Sequence, residues 1–348
     1  METFWFAAVA AMLAIYVVLD GFDLGTGIVH LIVGRSEVER RTTLSAIGPV
    51  WDGNEVWLVA GGGVLFFAFP RAYAVSFSGF YLALILVLWL LMFRALSIKL
   101  RSHFNNSLWR VLWDKVFALS SLLLAMVLGA ALGNLIRGVP INPEGYFFVA
   151  FWTDLRPGPH PGIFDWYTVF MALTAAAILA AHGANYLAMK TEDEIQARAR
   201  RVAGVATWLL VVLIPAALAI TAYVQPALRP NYDAHPVGYV LPAGAGLALI
   251  AMVYLRRRQR DVGAFVASSL FILGMLTGAA WGMYPHLLIA TTDAARSLTI
   301  HNAAVSSSSL RLGFLWFGIG ISLAVAYTVH MHRAFWGKVE APSETEDY

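Results

Sequence analysis

Gly48-Pro-Val-Trp-Asp-Gly-Asn-Glu-Val-Trp57 opens an apolar run, Val56 to Phe69, that is too short to cross a bilayer alone. At ~1.5 Å per residue the run falls short of a ~30 Å hydrocarbon core. A spanning helix here must recruit the turns that hold Asp52, Asn54 and Glu55. Two carboxylates are thereby placed at or just below the membrane surface. Ionisable groups at that depth are costly, and they usually face a protein interior or a water-filled path rather than lipid. This stretch therefore points both to a helix bundle in lipid and to the place where function is to be sought.

The apolar character recurs along the whole chain. Of 348 residues, 59% are hydrophobic and only 13% are charged, the composition of an integral membrane protein. Nine helices are predicted, at roughly 4–32, 47–69, 73–98, 114–136, 163–189, 202–223, 237–255, 263–284 and 309–332. The first is too long for a signal-peptide core, and no small-residue cleavage site stands out. The absence of cysteine excludes disulfides, thiolate zinc sites, iron–sulfur ligation and catalytic thiols. The net charge of +3 arises in loops, so nucleic-acid binding has no support.

Alternate loops carry Arg35/Arg40/Arg41, Lys99/Arg101/Arg110, Lys190/Arg198/Arg200/Arg201, Arg256/Arg257/Arg258/Arg260 and Arg333/Lys338. The opposite loops hold isolated cations: Arg71, Arg137, Arg156, Arg229 and Arg296. The positive-inside rule then puts the N-terminus outside and the C-terminus in the cytoplasm, which requires an odd number of spans. The acidic tail (Glu340, Glu344, Glu346, Asp347) does not weaken this, because acidic residues contribute little to the rule. The Arg256–Arg260 cluster reads as a topogenic loop touching anionic lipid. The outer loop Arg137–Gly162, with Pro140, Pro143, Pro157, Pro159 and Pro161, is of a kind that caps a bundle or meets a neighbouring chain.

A faint internal repeat is visible. Helix 1 ends Asp20-Gly-Phe-Asp23 and then reaches Glu39-Arg40-Arg41, while helix 5 ends His182-Gly-Ala-Asn185 and then reaches Arg198 to Arg201. The expected fold is an all-α polytopic membrane protein of about nine transmembrane helices, with two four-helix bundles and one peripheral helix. Within a single domain 1–348, residues 1–136 form the first repeat, 163–284 the second, 309–332 the ninth helix and 333–348 a cytoplasmic tail.

In Asp20-Gly-Phe-Asp-Leu-Gly25, Asp20 and Asp23 are three apart and share a helix face. Gly21 and Gly25 form a small-xxx-small surface for close helix packing, which Gly27 extends. These carboxylates either hold protons and pair with a buried Arg, or cap and pack a helix end. Asp52 and Glu55 also share a face. Trp51 and Trp57 read as interface anchors, a reading that leaves Asp52, Asn54 and Glu55 unexplained. Arg94, near the end of helix 3, either snorkels to headgroups or is the counter-ion of Asp20, Asp23 or Asp52. No histidine pair shows cross-helix symmetry or His-x-x-x-His spacing suited to haem ligation; His30, His182, His330 and His332 read as interfacial or hydrogen-bonded. Asn134 and Asn185 read as interhelical glue.

At these motifs the chain resembles subunit II of the cytochrome bd-type quinol oxidases, including the cyanide-insensitive branch. The resemblance covers nearly the whole length. It is carried by Asp20 to Gly25, Glu39-Arg40-Arg41, Gly48 to Trp57, Phe69-Pro-Arg-Ala-Tyr73, Phe77-Ser-Gly-Phe-Tyr81, Arg94, Trp109 to Asp114 and Gly133 to Pro140. The second half matches mainly in hydropathy and loop placement. The resemblance implies a membrane complex that oxidises quinol and reduces O2 to water, with haems b and d and the quinol held by a partner, subunit I. It implies that this chain binds no haem, stabilises the complex, and contributes to a cytoplasmic proton path. That role falls on Asp52 and Asp23, with Arg94, Asp20 and Asn54 as polar partners. Some members hold a structural quinone in this subunit. Where other members carry Gln, this chain has Glu55, either a further proton carrier or a group facing headgroups.

The expectation is thus a subunit of an electrogenic, proton-consuming oxidoreductase of the bacterial inner membrane, partnered by subunit I and lipid. A secondary transporter with ion-coupling carboxylates is the alternative, opposed by the lack of broken helices at matched midplane positions. A pure scaffold is the third reading.

Overall fold

Backbone amides and carbonyls have no water partners in lipid, so apolar segments satisfy them internally as helices. The computed structural model describes residues 1–339, and the acidic tail residues Glu340, Glu344, Glu346 and Asp347 lie outside them. In chain order the helices are α1 (Glu2–Val33), α2 (Glu37–Ile47), α3 (Trp51–Ala68), α4 (Pro70–Gly79), α5 (Tyr81–Leu100) and α6 (Ser107–Arg137). There follow α7 (Trp166–Lys190), α8 (Asp193–Val224), α9 (Arg229–Ala234), α10 (Val240–Arg257), α11 (Asp261–Met283) and α12 (Ser307–Ala334). Two short antiparallel strands, β1 (His286–Leu288) and β2 (Leu298–Thr299), lie between α11 and α12. The protein is an all-α polytopic membrane protein. Eight described helices are long and apolar enough to cross a bilayer. The ninth expected span is α3, whose polar first turns set it apart.

Several boundaries differ from the sequence reading, each for a local reason. The predicted helix 73–98 is divided into α4 and α5 at Phe80, where the ψ of 20° leaves the helical range. Gly79 lies under the Phe147 ring, and an added Cβ there would meet it at 2.1 Å. The predicted helix 47–69 loses its ends to the turn at 48–50 and to Pro70, which starts α4 at its first position. α6 begins seven residues before the expected 114, because the Asn106 side chain caps the amides of Leu108 and Trp109. α8 begins nine residues before the expected 202, so its basic first turns are helical.

α1 and α7 form the centre. α1 packs against α3, α6, α7 and α11, and α7 packs against α1, α6, α8 and α11. They cross at Gly25 and Gly183. A Cβ on Gly25 would lie 1.9 Å from the Leu179 carbonyl, and one on Gly183 would lie 2.1 Å from the Gly25 backbone. Only glycine permits this approach, and the sequence named that glycine face of α1. Gly27 extends it, with a Cβ there 2.1 Å from Ser121 Oγ on α6.

At the end opposite the basic loops, the proline-rich segment after α6 covers the bundle. Val139, Ile141, Phe147 and Val149 bury themselves with Trp5, Phe69, Leu288 and Ile300 in one cluster. By contrast α12 buries a single residue, Leu310. Phe4 packs on its Phe314 and Phe317 at that end, and Trp5, itself against Phe67, packs on Phe317. At the basic end Lys190 Nζ donates to the Phe335 carbonyl (2.6 Å), Lys338 Nζ to the Thr191 carbonyl (2.6 Å) and the Val339 amide to the Lys190 carbonyl (2.8 Å). α12 is thus fastened at both ends.

Candidate functional site

The centre of α1 is buried without interruption from Asp20 to Gly27. Two carboxylates in such a place need compensation, and α3 and α5 supply it. Arg94 of α5, fully buried, donates from Nη1 to Asp20 Oδ1 at 2.6 Å and from Nη2 to Glu55 Oε2 at 3.0 Å. Asn54 of α3 donates to Asp23 Oδ2 at 2.8 Å. Five of the six residues named from the sequence therefore form one cluster across three helices. Of the two readings of Arg94 the structure selects the counter-ion, with Asp20 and Glu55 as its partners. Glu55 reaches inward rather than merely facing headgroups, and its side chain stays 22% exposed.

The cluster is only partly satisfied. Asp20 Oδ2, Asp23 Oδ1, Arg94 Nε and Tyr16 Oη are buried without a protein hydrogen-bond partner among the described residues. Such groups in a dry bundle are expensive, and water is their natural partner. Tyr16, one turn before Asp20 on the same helix face, was not singled out in the sequence; its i, i+4 spacing to Asp20 is the signal that would have found it.

Asp52, the sixth residue, lies apart. It is exposed, in the first turn of α3, where a negative charge suits the helix N-terminus. It opens onto a cleft of about 470 Å³ between α1, α3 and α12, lined by Met12, Trp57, Ala60, Leu323, Tyr327 and Thr328 among others. Trp57 Nε1 donates to Thr328 Oγ1 at 3.3 Å beside it. Trp57 is buried, so it serves the α3–α12 contact rather than an interfacial belt.

A second buried cluster at the basic end escaped the sequence reading. Asp114 of α6 accepts from Arg101 Nε (2.5 Å) and Nη2 (3.2 Å) and from Arg40 (3.3 Å), and it contacts His30 Nε2 at 3.0 Å. Arg101 also makes a two-pronged pair with Glu37, both contacts 3.0 Å. The partners are as far as 84 positions apart in sequence, so no spacing rule exposes them. Arg198 of α8 pairs with Glu39 of α2 and donates to the Val33 carbonyl at 2.7 Å. Partial burial pushes Glu39 upward. The Ser36 amide, the Arg198 guanidinium and the Arg35 amide outweigh it and hold the carboxyl at about 2. At the other end Arg137 pairs with Asp165, the N-cap of α7, and with Asn134 Oδ1 at 2.7 Å.

The two best-buried histidines have both ring nitrogens engaged. His182 meets Ser268 Oγ (2.7 Å) and the Val18 carbonyl (2.9 Å), and His30 meets Thr43 Oγ1 (2.7 Å) and Asp114. Neither offers a lone pair to haem iron. No group of three or more potential ligands is arranged to hold a metal ion among the described residues. Asn185 is interhelical glue as expected, contacting Met252 Sδ of α10, whereas Asn134 donates to the Ala130 carbonyl of its own helix and to the Ile163 carbonyl in the loop before α7.

The fold is a polytopic membrane helix bundle with an acid–arginine cluster buried among α1, α3 and α5. The chain belongs to the cytochrome bd terminal oxidase subunit II family, whose model matches residues 1–335. It is 30% identical to cytochrome bd-I ubiquinol oxidase subunit 2 of Escherichia coli K12, over 96% of this chain and 94% of that one. It is 29% identical to cytochrome bd ubiquinol oxidase subunit 2 of Bacillus subtilis, over 90% and 89%. Its fold matches a chain of the bd oxidase of Geobacillus thermodenitrificans with a TM-score of 0.74 and 17% identity, over 96% of this chain and 98% of that one. The protein is accordingly a subunit of an oxidoreductase complex.

Proposed function

We propose that this chain carries protons from the cytoplasm toward the oxygen-reducing centre of its partner, subunit I, and binds no haem itself. The observation that carries the reading is the half-satisfied cluster of Asp20, Asp23, Asn54, Glu55 and Arg94. Reduction of O2 inside a membrane consumes protons that must cross a low-dielectric region, and carboxylates with free lone pairs beside water suit that relay. Asp52, at the mouth of the cleft, is the access group. Asp23 is the buried relay and Glu55, partly exposed, the group on the far side. Arg94 balances Asp20 so that the helices tolerate the charge. The occupied nitrogens of His30 and His182 support a haem-free chain.

The basic loops give the orientation, with α1 beginning outside and α12 ending in the cytoplasm of a bacterial inner membrane. α3 makes the ninth crossing. The paired roles of α1 and α7, each packed on the last long helix of both halves, support two four-helix repeats. The exposed apolar faces of α3 and α5, including Val59, Phe66, Leu88 and Trp89, suit a large interface with subunit I, which oxidises quinol. The remaining apolar surface faces lipid.

The test is Asp52→Asn in the purified two-subunit complex, with haem content read from the visible spectrum. The expected result is intact haem b and d bands with quinol oxidation reduced at least about tenfold, a conservative fraction of what a positioned proton-transfer group contributes. Wild-type turnover with unchanged spectra would remove the proton path. Loss of the haem-bearing partner would leave a scaffold.

A further inference from the structure

Resting on the proton-path reading, we infer that His332 of α12 is a relay residue between the cytoplasmic surface and Asp23. The ring stands at the basic end of α12, two residues before the helix ends. Its Nδ1 lies 2.9 Å from the Thr328 carbonyl, and a carbonyl only accepts, so Nδ1 carries the hydrogen. Nε2 is then the basic nitrogen of the neutral ring, and it is buried without a hydrogen-bond partner among the described residues. His332 lines a cavity of about 10 Å³ together with Asn54, Gly53, Tyr327, Thr328 and Met331. That volume is about the least that holds one water. Asn54 on the same cavity donates to Asp23 Oδ2 at 2.8 Å.

The position is built. Phe22 of α1 meets the imidazole edge-on, with ring centres 6.2 Å apart. The straps from Lys190 and Lys338 fasten the end of α12 to the end of α7. Nε2 accepts a proton from water that enters the cavity beside Pro49 and Val50, which also line it, giving an imidazolium. It returns the same proton to water on the Asn54 side, which hands it on to the Asp23 carboxylate that Asn54 holds. No bond other than N–H and O–H forms or breaks. The titratable groups on the elements packed there are Asp23 on α1, Asp52 on α3, Tyr186 and Lys190 on α7, and Tyr327, His330 and Arg333 on α12 itself.

The experiment uses the purified two-subunit complex with His332→Phe, which keeps the ring contact, beside His332→Gln and Asp52→Asn. Turnover is measured across pH 5.5 to 9 with and without added imidazole. The expected result is unchanged haem content and quinol KM, kcat reduced at least about tenfold, a flattened pH profile, and partial rescue by imidazole. Wild-type kcat and pH profile in His332→Phe, while Asp52→Asn is slow, overturn this inference alone. If both variants turn over normally, the proton-path reading falls with it. If His332→Phe and His332→Gln both lose the haem-bearing partner, the residue is structural and the inference is overturned.

Discussion

The two halves of the molecule treat the same place in opposite ways. In α1 the sequence Asp20-Gly-Phe-Asp23 is met by Arg94, Glu55 and Asn54, leaving several polar atoms unpartnered among the described residues. In α7 the sequence His182-Gly-Ala-Asn185 is met by Ser268, the Val18 carbonyl and Met252, with both imidazole nitrogens engaged. Both motifs flank a glycine at or next to the α1–α7 crossing, so the packing demand is similar. The charge is not. A neutral, satisfied group serves as glue and rigidifies. A charged, half-satisfied one is costly to bury. On the proposed function, unfinished hydrogen bonding around an ion, rather than burial alone, marks the relay.

The seam shared by the two halves should be the most sensitive position. Gly183→Leu forces a side chain into the α1 backbone, and more than about 3 kcal/mol of destabilisation is expected, beyond ordinary overpacking. Size-exclusion analysis of the solubilised complex should show its loss. Next comes the charged half. Arg94→Met leaves Asp20 buried without its counter-ion, a change of about 3–5 kcal/mol. Adding Asp20→Asn should recover much of the melting temperature, and failure to do so would deny that the pair is coupled. The neutral half responds less. His182→Leu removes two hydrogen bonds, while Ser268 keeps the Phe265 carbonyl, for about 1–3 kcal/mol, and turnover per intact haem stays near wild type.

The smallest effect concerns the ion pair that ties α2 of the first half to α8 of the second. Glu39 is held at about 2, below its ordinary 4.5. A depressed carboxylate stabilises the fold above its unfolded pKa and loses that contribution as pH falls through the folded one. Melting temperature should therefore drop between about pH 4.5 and 2 in the wild type, and Glu39→Gln should make that drop shallower. An unchanged slope would show that Arg198 contributes nothing there.

Much of this comparison was legible in the sequence, for a physical reason. A hydrophobic run too short for the bilayer forces Asp52, Asn54 and Glu55 into one helix, and α3 contains them. Glycines at i, i+4 announce a close crossing, and Gly25 makes it. What escaped notice depends on partners remote in sequence: Asp114 with His30 and Arg101, Arg137 with Asp165, and His332 with the cavity beside Asn54. No periodicity links such residues, because tertiary packing alone brings them together. Asp52 was expected among the polar cluster and stands outside it, since a first-turn residue on the cleft side of α3 points away from Arg94. The helix break at Phe80 was likewise hidden, because it answers to Phe147 from a distant loop, whereas the break before Pro70 falls where the sequence ended its second helix.

The most direct measurement is proton uptake. The complex is reconstituted in vesicles with a pH dye on the side of the basic loops, and uptake is timed during O2 reduction in wild type, Asp23→Asn and Asn185→Leu. The account predicts uptake from that side in all three, slowed at least about tenfold in Asp23→Asn alone, with haem content unchanged. Equal uptake rates in Asp23→Asn and wild type would contradict it.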